Sequence, residues 1–118
     1  MNISQVKKYC VSLPHAKGGI KWEVDMVYTI GEKMFAVAFE DQDANGRVSF
    51  KVDDGRFLEL TDRAGFIPAP YLARAKWVQV TDLAAVPGAE LKALIRRSYE
   101  LVLAKLPRKS QAALSAAD

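Results

Sequence analysis

The chain has 118 residues, half of them hydrophobic and 26% charged. That is the size and composition of one globular domain, too apolar to stay disordered and too short for two separate cores. Its formal charge of +3 is modest but uneven, since residues 1–60 carry 8 Lys/Arg against 9 Asp/Glu and residues 61–118 carry 9 against 5. The basic second half suits a polyanion, although the same bases also serve to solvate a helix and a tail. No run approaches the ~20 apolar residues that cross a bilayer, and the opening "MNISQVKKYC" lacks the apolar centre of a secretory signal. The lone cysteine, Cys10, cannot form an intrachain disulfide, which fits a reducing compartment. A cytoplasmic protein with no membrane partner is expected.

Residues 2–13 are expected to form a short helix. Asn2 or Ser4 can cap it, and Ile3, Val6, Cys10 and Leu13 recur at spacings of three and four until Pro14 stops it. "HAKGGIKW" then reads as a glycine-containing connection ending in Trp22. "DMVYTI" is rich in strand formers and sets Met26, Tyr28 and Ile30 on one face. After the turn "GEK", "MFAVAFE" forms a second strand with Phe35, Val37 and Phe39 on one side and Ala36 and Ala38 on the other. Its nearly continuous apolarity predicts cover on both faces.

"DQDANG" is the next turn, with Asn45-Gly46 as the hairpin signal. The return strand "RVSFK" turns Val48 and Phe50 inward and Arg47, Ser49 and Lys51 outward. A short helix follows over "DDGRFLELTDRAG", its aspartates at the positive N-terminal end and Gly65 at its close. Pro68 and Pro70 place the following segment at a sheet edge or in a connection. Val78 and Val80 mark a last strand whose other side shows Trp77 and Gln79. The longest helix is expected over roughly residues 88–106, with Leu91, Leu94, Ile95, Leu101 and Val102 on its core face and Lys92, Arg96, Arg97 and Glu100 outward. Pro107 ends it, leaving residues 1–107 as the domain and 108–118 as a tail that frays or extends the helix weakly. The order is helix, three strands, helix, one or two strands, helix. Strands grouped between helices imply a two-layer α+β domain with an antiparallel sheet covered by helices.

The chemical motifs point away from catalysis. Asp41, Asp43, Asn45 and Gly46 imitate the start of a calcium loop, but Val52 stands where the bidentate glutamate is needed, and the flanks read as strands. His15 is the only histidine, so His and Cys cannot build a metal site, and Cys10 lies on the inferred buried face, away from a nucleophile's setting. The carboxylate pairs Glu23/Asp25 and Asp53/Asp54 stand before a strand and at a helix start, where solvation and capping account for them. No phosphate loop, dinucleotide fingerprint or nucleophile elbow is present. No enzyme, cofactor or metal is expected.

What remains are aromatics beside bases: Trp22 with Lys21, and Tyr71 and Trp77 with Arg74 and Lys76. Together with Arg47 and Lys51 they form a candidate surface in which cations meet phosphates and rings stack on bases. Trp, Tyr and Arg also anchor protein partners.

The chain resembles the MmcQ/YjbR family of small bacterial proteins along nearly its whole length. The resemblance is carried by "YCVSLPHA", "KWEVDMVYTIGEKMFAV", "VSFKVDD", "FIPAPYLARAKWVQV" and "LIRRSYELVLAKLP", in the family's order and spacing. It implies a compact α+β fold with helices on one side of an antiparallel sheet, similar to frataxin-type (CyaY-like) and secretion-chaperone-type architectures. It also implies weak, salt-dependent DNA binding, by analogy with a double-wing domain whose concave sheet meets DNA. Lys51 matches the family's lysine before the second helix, and Trp77 its tryptophan in the late strand. Where many members carry Tyr-His and then Leu-Asn-Lys-Lys-His before that tryptophan, this chain has Pro70-Tyr71 and then Leu72-Ala73-Arg74-Ala75-Lys76. Two bases stay while the histidines and asparagine are gone, which leaves a general cation-and-aromatic surface. The expected function is a non-enzymatic binding module for DNA, with a protein- or peptide-binding adaptor as the alternative.

Overall fold

The computed structural model describes residues 1–21, 25–40 and 46–116. Its first helix, α1 (Ile3–Ser12), begins at Asn2, one of the two candidate caps. The Asn2 side chain accepts the Gln5 N–H at 2.8 Å and the Gln5 side chain accepts the Asn2 N–H at 2.9 Å, a reciprocal capping box. Val6, Cys10 and Leu13 are buried, and Leu13 turns extended before Pro14, where a continuing helix would clash with the proline ring.

The stretch after Pro14 is more than a connection. Lys17–Lys21 is a strand, β1, paired antiparallel with β2 (Asp25–Ile30) from Lys17↔Thr29 to Lys21↔Asp25. Its glycines hid it, because they give no alternation to read. Gly18 faces Tyr28, whose ring lies so close that a Cβ at residue 18 would come within 3.0 Å of it. Then β2 pairs with β3 (Lys33–Phe39), β3 with β4 (Arg47–Lys51), β4 with β6 (Trp77–Val80), and β6 with β5 (Phe66–Pro68). The described residues thus form a six-stranded antiparallel sheet in the order β1-β2-β3-β4-β6-β5, with Pro68 on an edge strand as its missing N–H requires. Two strands therefore follow the short helix, and four precede it where three were expected.

One helical layer covers one face. α1 and α3 (Gly88–Ala104) bury Val6, Cys10, Leu91 and Ile95 against Phe35, Phe50, Val48 and Val80. Met26, Tyr28 and Ile30 do share this face. Phe35 does not share a face with Val37 and Phe39, as alternation predicted. The register shifts from Tyr28↔Ala36 to Thr29↔Met34, so Phe35 is an extra residue, a β-bulge, and points to the helices with Ala36 and Ala38. Val37 and Phe39 go to the opposite face. Phe35 packs edge-on to Tyr99 of α3, with ring centroids 5.5 Å apart, and the Tyr99 hydroxyl donates to the Pro14 carbonyl at 2.7 Å.

The segment after β4 is a 3-10 turn (Asp54–Arg56) and a five-residue helix, α2 (Phe57–Thr61), shorter than expected. Asp53 does not cap it. Its carboxylate accepts two hydrogen bonds from Arg97 on α3, both at 2.9 Å. Arg97 therefore holds the Asp53 carboxyl below the usual carboxylate range. Gly65 adopts φ +90° in the turn into β5, beyond the end of α2. The tail forms a further helix, α4 (Arg108–Ala116). Among the described residues, no helix is long and apolar enough to cross a membrane. The residues of the calcium-like loop, 41–45, lie outside the described residues, and the elements before and after them are strands.

Ser98 joins the two layers. Fully buried on α3, it donates to the Phe35 carbonyl at 2.7 Å and accepts the Lys51 N–H at 2.9 Å. The β3–β4 ladder stops at Ala36↔Phe50, and Ser98 bridges the next position, satisfying the Phe35 carbonyl and the Lys51 amide in place of a strand-to-strand bond. Replacing Ser98 by alanine is expected to lower stability by about 1–3 kcal/mol for each group left unpaired. In urea unfolding followed by far-UV circular dichroism, the midpoint should fall with the slope unchanged.

Candidate functional site

The face away from α1 and α3 carries most of the residues singled out from the sequence, but not as an open sheet. After β5 the chain does not turn tightly into β6; residues 69–76 cross that face as an arm. Ala69 donates to the Trp77 carbonyl at 3.0 Å, and Trp77 donates to the Leu72 carbonyl at 3.3 Å. Ala69 and Leu72 then close over Val27, Val37 and Trp77, with Met34 and Phe39 completing a second, smaller core. Trp77 is therefore 5% exposed. It does face away from the main core, as alternation predicted, but the arm shields it from a partner. Local alternation reports which side a residue takes and is blind to a loop folding back over that side.

The polar residues of the same face are also engaged. Ser49 and Gln79, expected outward, are each 2% exposed, and the Gln79 amide donates to the Ser49 hydroxyl at 3.1 Å. Arg47 donates to Gln79 Oε1 at 3.1 Å and lies 5.1 Å from the centroid of the Phe39 ring. Lys51 sits across from Trp77 in the β4–β6 ladder, and its ammonium donates to the Ala75 carbonyl. Burial and neighbouring Lys105 lower its pKa. Tyr71 is fully exposed and Arg74 is exposed, both on the outer side of the arm. Lys76, half-buried, places its ammonium 5.1 Å from the Phe57 ring centroid. Tyr71 and Lys76 both adopt left-handed backbone, at φ +67° and +63°, a conformation that costs a non-glycine residue of order 1 kcal/mol. The arm thus joins Tyr71, Arg74 and Lys76 above Lys51 and Trp77, whereas Arg47 stands at the far end of β4. Lys21 ends β1, and Trp22 lies outside the described residues.

At the strand ends the arm borders a cleft of about 480 Å³. Its walls are the β2–β3 turn, the end of β4, the start of β6 and the last turn of α3. Its apolar lining comes from Met34, Leu72, Ala75, Trp77, Val102 and Leu106, and its charged lining from Lys33, Lys51, Lys105 and Glu32. The β2–β3 turn packs against Leu106, just after α3, because Gly31, at φ +55°, has no side chain, and a Cβ there would come within 2.6 Å of Leu106. The cleft escaped the sequence reading because Met34, Lys105 and Leu106 look like ordinary strand-edge and helix-end residues. A second cleft of about 570 Å³ lies between α1 and the start of α3, beside Lys8, Tyr9 and Lys92, and touches none of the predicted residues.

The other titratable groups have structural causes. Burial pushes the Cys10 thiol up to about 12. Arg63 forks onto Glu90 at 2.8 and 3.0 Å and holds that carboxyl below the usual range. Among the described residues, no group of three or more His, Cys, Asp or Glu side chains could hold a metal ion.

A family model described as YjbR matches residues 11–101 of the chain. The crystal structure of a Deinococcus radiodurans protein with a DUF419 domain superimposes with a TM-score of 0.86 and 29% identity, covering 97% of this chain and 88% of that one. A Pseudomonas syringae protein shares the fold with a TM-score of 0.73 and 21% identity, over 86% of this chain and 99% of its own. No curated protein matches.

The arm's two sides should respond oppositely to truncation. Trp77→Ala is expected to cost about 3–5 kcal/mol, as for other buried aromatics, while Tyr71→Ala should stay within about 0.5 kcal/mol of the parent. Thermal unfolding of the two variants checks this.

Proposed function

The chain belongs to the YjbR family, and we propose that it acts as a non-enzymatic module that binds single-stranded nucleic acid or DNA through the outer side of the arm. The observation that carries the reading is Tyr71, an aromatic ring wholly in solvent on left-handed backbone. Exposed Arg74 stands three residues on, with the half-buried cations Lys76 and Lys51 beside it. A solvated ring provides a stacking platform, and cations around it follow a phosphate backbone. Strained backbone kept at an exposed aromatic fits a contact residue better than a packing residue. The burial of Trp77 and the engagement of Arg47 with Gln79 move the contact from the sheet itself to the arm lying over it. Support for a non-catalytic role comes from groups tuned away from acid–base and nucleophilic work. Asp53 and Glu90 are held ionised by arginines, and the Cys10 thiol is held protonated by burial.

Fluorescence anisotropy of labelled single- and double-stranded DNA, at ~50 and ~200 mM salt, tests the proposal. Binding should weaken steeply between the two, Arg74→Ala should reduce the salt slope by roughly one, and Tyr71→Ala should weaken binding by about 1–3 kcal/mol with the slope kept. No binding at the lower salt, or binding indifferent to both substitutions, overturns it.

A further inference from the structure

The cleft at the strand ends supports an inference distinct from nucleic-acid binding at Tyr71 and Arg74, neither of which lines it, although Lys51 belongs to both. Its volume, about 480 Å³, falls in the ~300–1,000 Å³ range of small-molecule sites. The uncharged side chains of its lining are all hydrocarbon, thioether or indole, with no hydroxyl, carboxamide or imidazole among them. A ligand body resting there has few hydrogen bonds to lose, so an apolar or aromatic body suits it and a polar one does not.

The charges complement that body with an anion. Glu32 is the one acid among the lining residues beside Lys33, Lys51 and Lys105. Asp53 and Asp54, outside the lining, offset part of the Lys51 charge, but among the described residues none of these lysines is in an ion pair with a carboxylate. The Lys51 ammonium spends one donor on the Ala75 carbonyl, which fixes its position and leaves two donors. Lys105 is near enough to repel Lys51, and an anion between them relieves that repulsion. Glu32 in the lining opposes a second negative charge, and the lining has no arginine fork for a phosphate.

We propose that this cleft binds a small amphipathic carboxylate, its aromatic or short aliphatic body on Met34 and Leu72 and its carboxylate accepting hydrogen bonds from Lys51 beside Lys105. Trp77, 5% exposed, mainly closes the small core beneath the arm and meets the cleft only with the little of it left uncovered.

Hydrocinnamate, and in parallel its neutral alcohol, titrated into the isotope-labelled full chain and followed by amide chemical shifts, tests this. The acid should give saturable shifts around Lys33–Met34, Leu72–Trp77 and Lys105–Leu106, with a dissociation constant of ~0.1–1 mM. The alcohol should bind about tenfold more weakly, and Lys51→Met and Lys105→Met should each weaken the acid several-fold. Lys105 is exposed at the end of α3, so its variant keeps the test valid if Lys51→Met fails to fold. Shifts that do not saturate by ~10 mM, shifts confined to the α1–α3 cleft, equal affinity for the alcohol, or unchanged affinity in the folded lysine variants each overturn the proposal.

Discussion

The Ser98 hydroxyl holds the Phe35 carbonyl and the Lys51 amide at once and ties α3 to two strands of the sheet. A buried bridge of this kind is costly to leave half-made, so it adds a directional constraint to the apolar packing that docks α3. Val102 follows Ser98 by four residues, on the same stripe of α3, and Lys105 and Leu106 come just after the helix ends at Ala104. With Ser98 held at Phe35 and the end of β4, this end of the helix and the residues after it line the cleft beside the β2–β3 turn. Lys51 is part of the same arrangement, its backbone held by Ser98 and its side chain aimed at the arm.

The two faces of the sheet solve the burial problem differently. One is covered by helices through a large apolar core. The other is covered by an eight-residue arm, too short to form a regular element with a core face of its own. It adds only Ala69 and Leu72 to the Trp77 cluster, and satisfies its backbone by short-range bonds such as Ala75 to Leu72 and Lys76 to Ala73. Two non-glycine residues in left-handed conformation give it the bends it needs. What the arm leaves on its outer side, Tyr71 and Arg74, is exposed, while the residues beneath it bury the tryptophan.

Much of this was legible from local pattern. The apolar spacing of Val6, Cys10 and Leu13, the alternation of Met26, Tyr28 and Ile30, and the proline at the sheet edge all reappear as expected. Each of these signals is a period set by a residue's own backbone. β1 was missed because Gly18 and Gly19 have no side chains to alternate, and its identity comes from Tyr28 lying across it. Phe35 was placed on the wrong side because a bulge shifts the period by one residue, and nothing in "MFAVAFE" marks where the shift falls. The candidate surface was half legible. The basic and aromatic residues of the arm were found, but the cleft joins residues from the β2–β3 turn, β4, the arm, β6 and the end of α3.

By itself the sequence determined the class of the domain, the helix limits set by Asn2 and Pro14, most strands, and the side of the sheet that Val78 and Trp77 each take. Those depend on periodicity and on the backbone limits of proline and capping residues, which act over a few residues. Only the tertiary structure decided that Trp77 is buried, that Asp53 serves Arg97 and not a helix end, and that Lys33, Lys51 and Lys105 share one cleft. Each of these depends on where distant segments come to rest against one another, and here the Ser98 bridge, the Phe35 bulge and the folded-back arm set that placement.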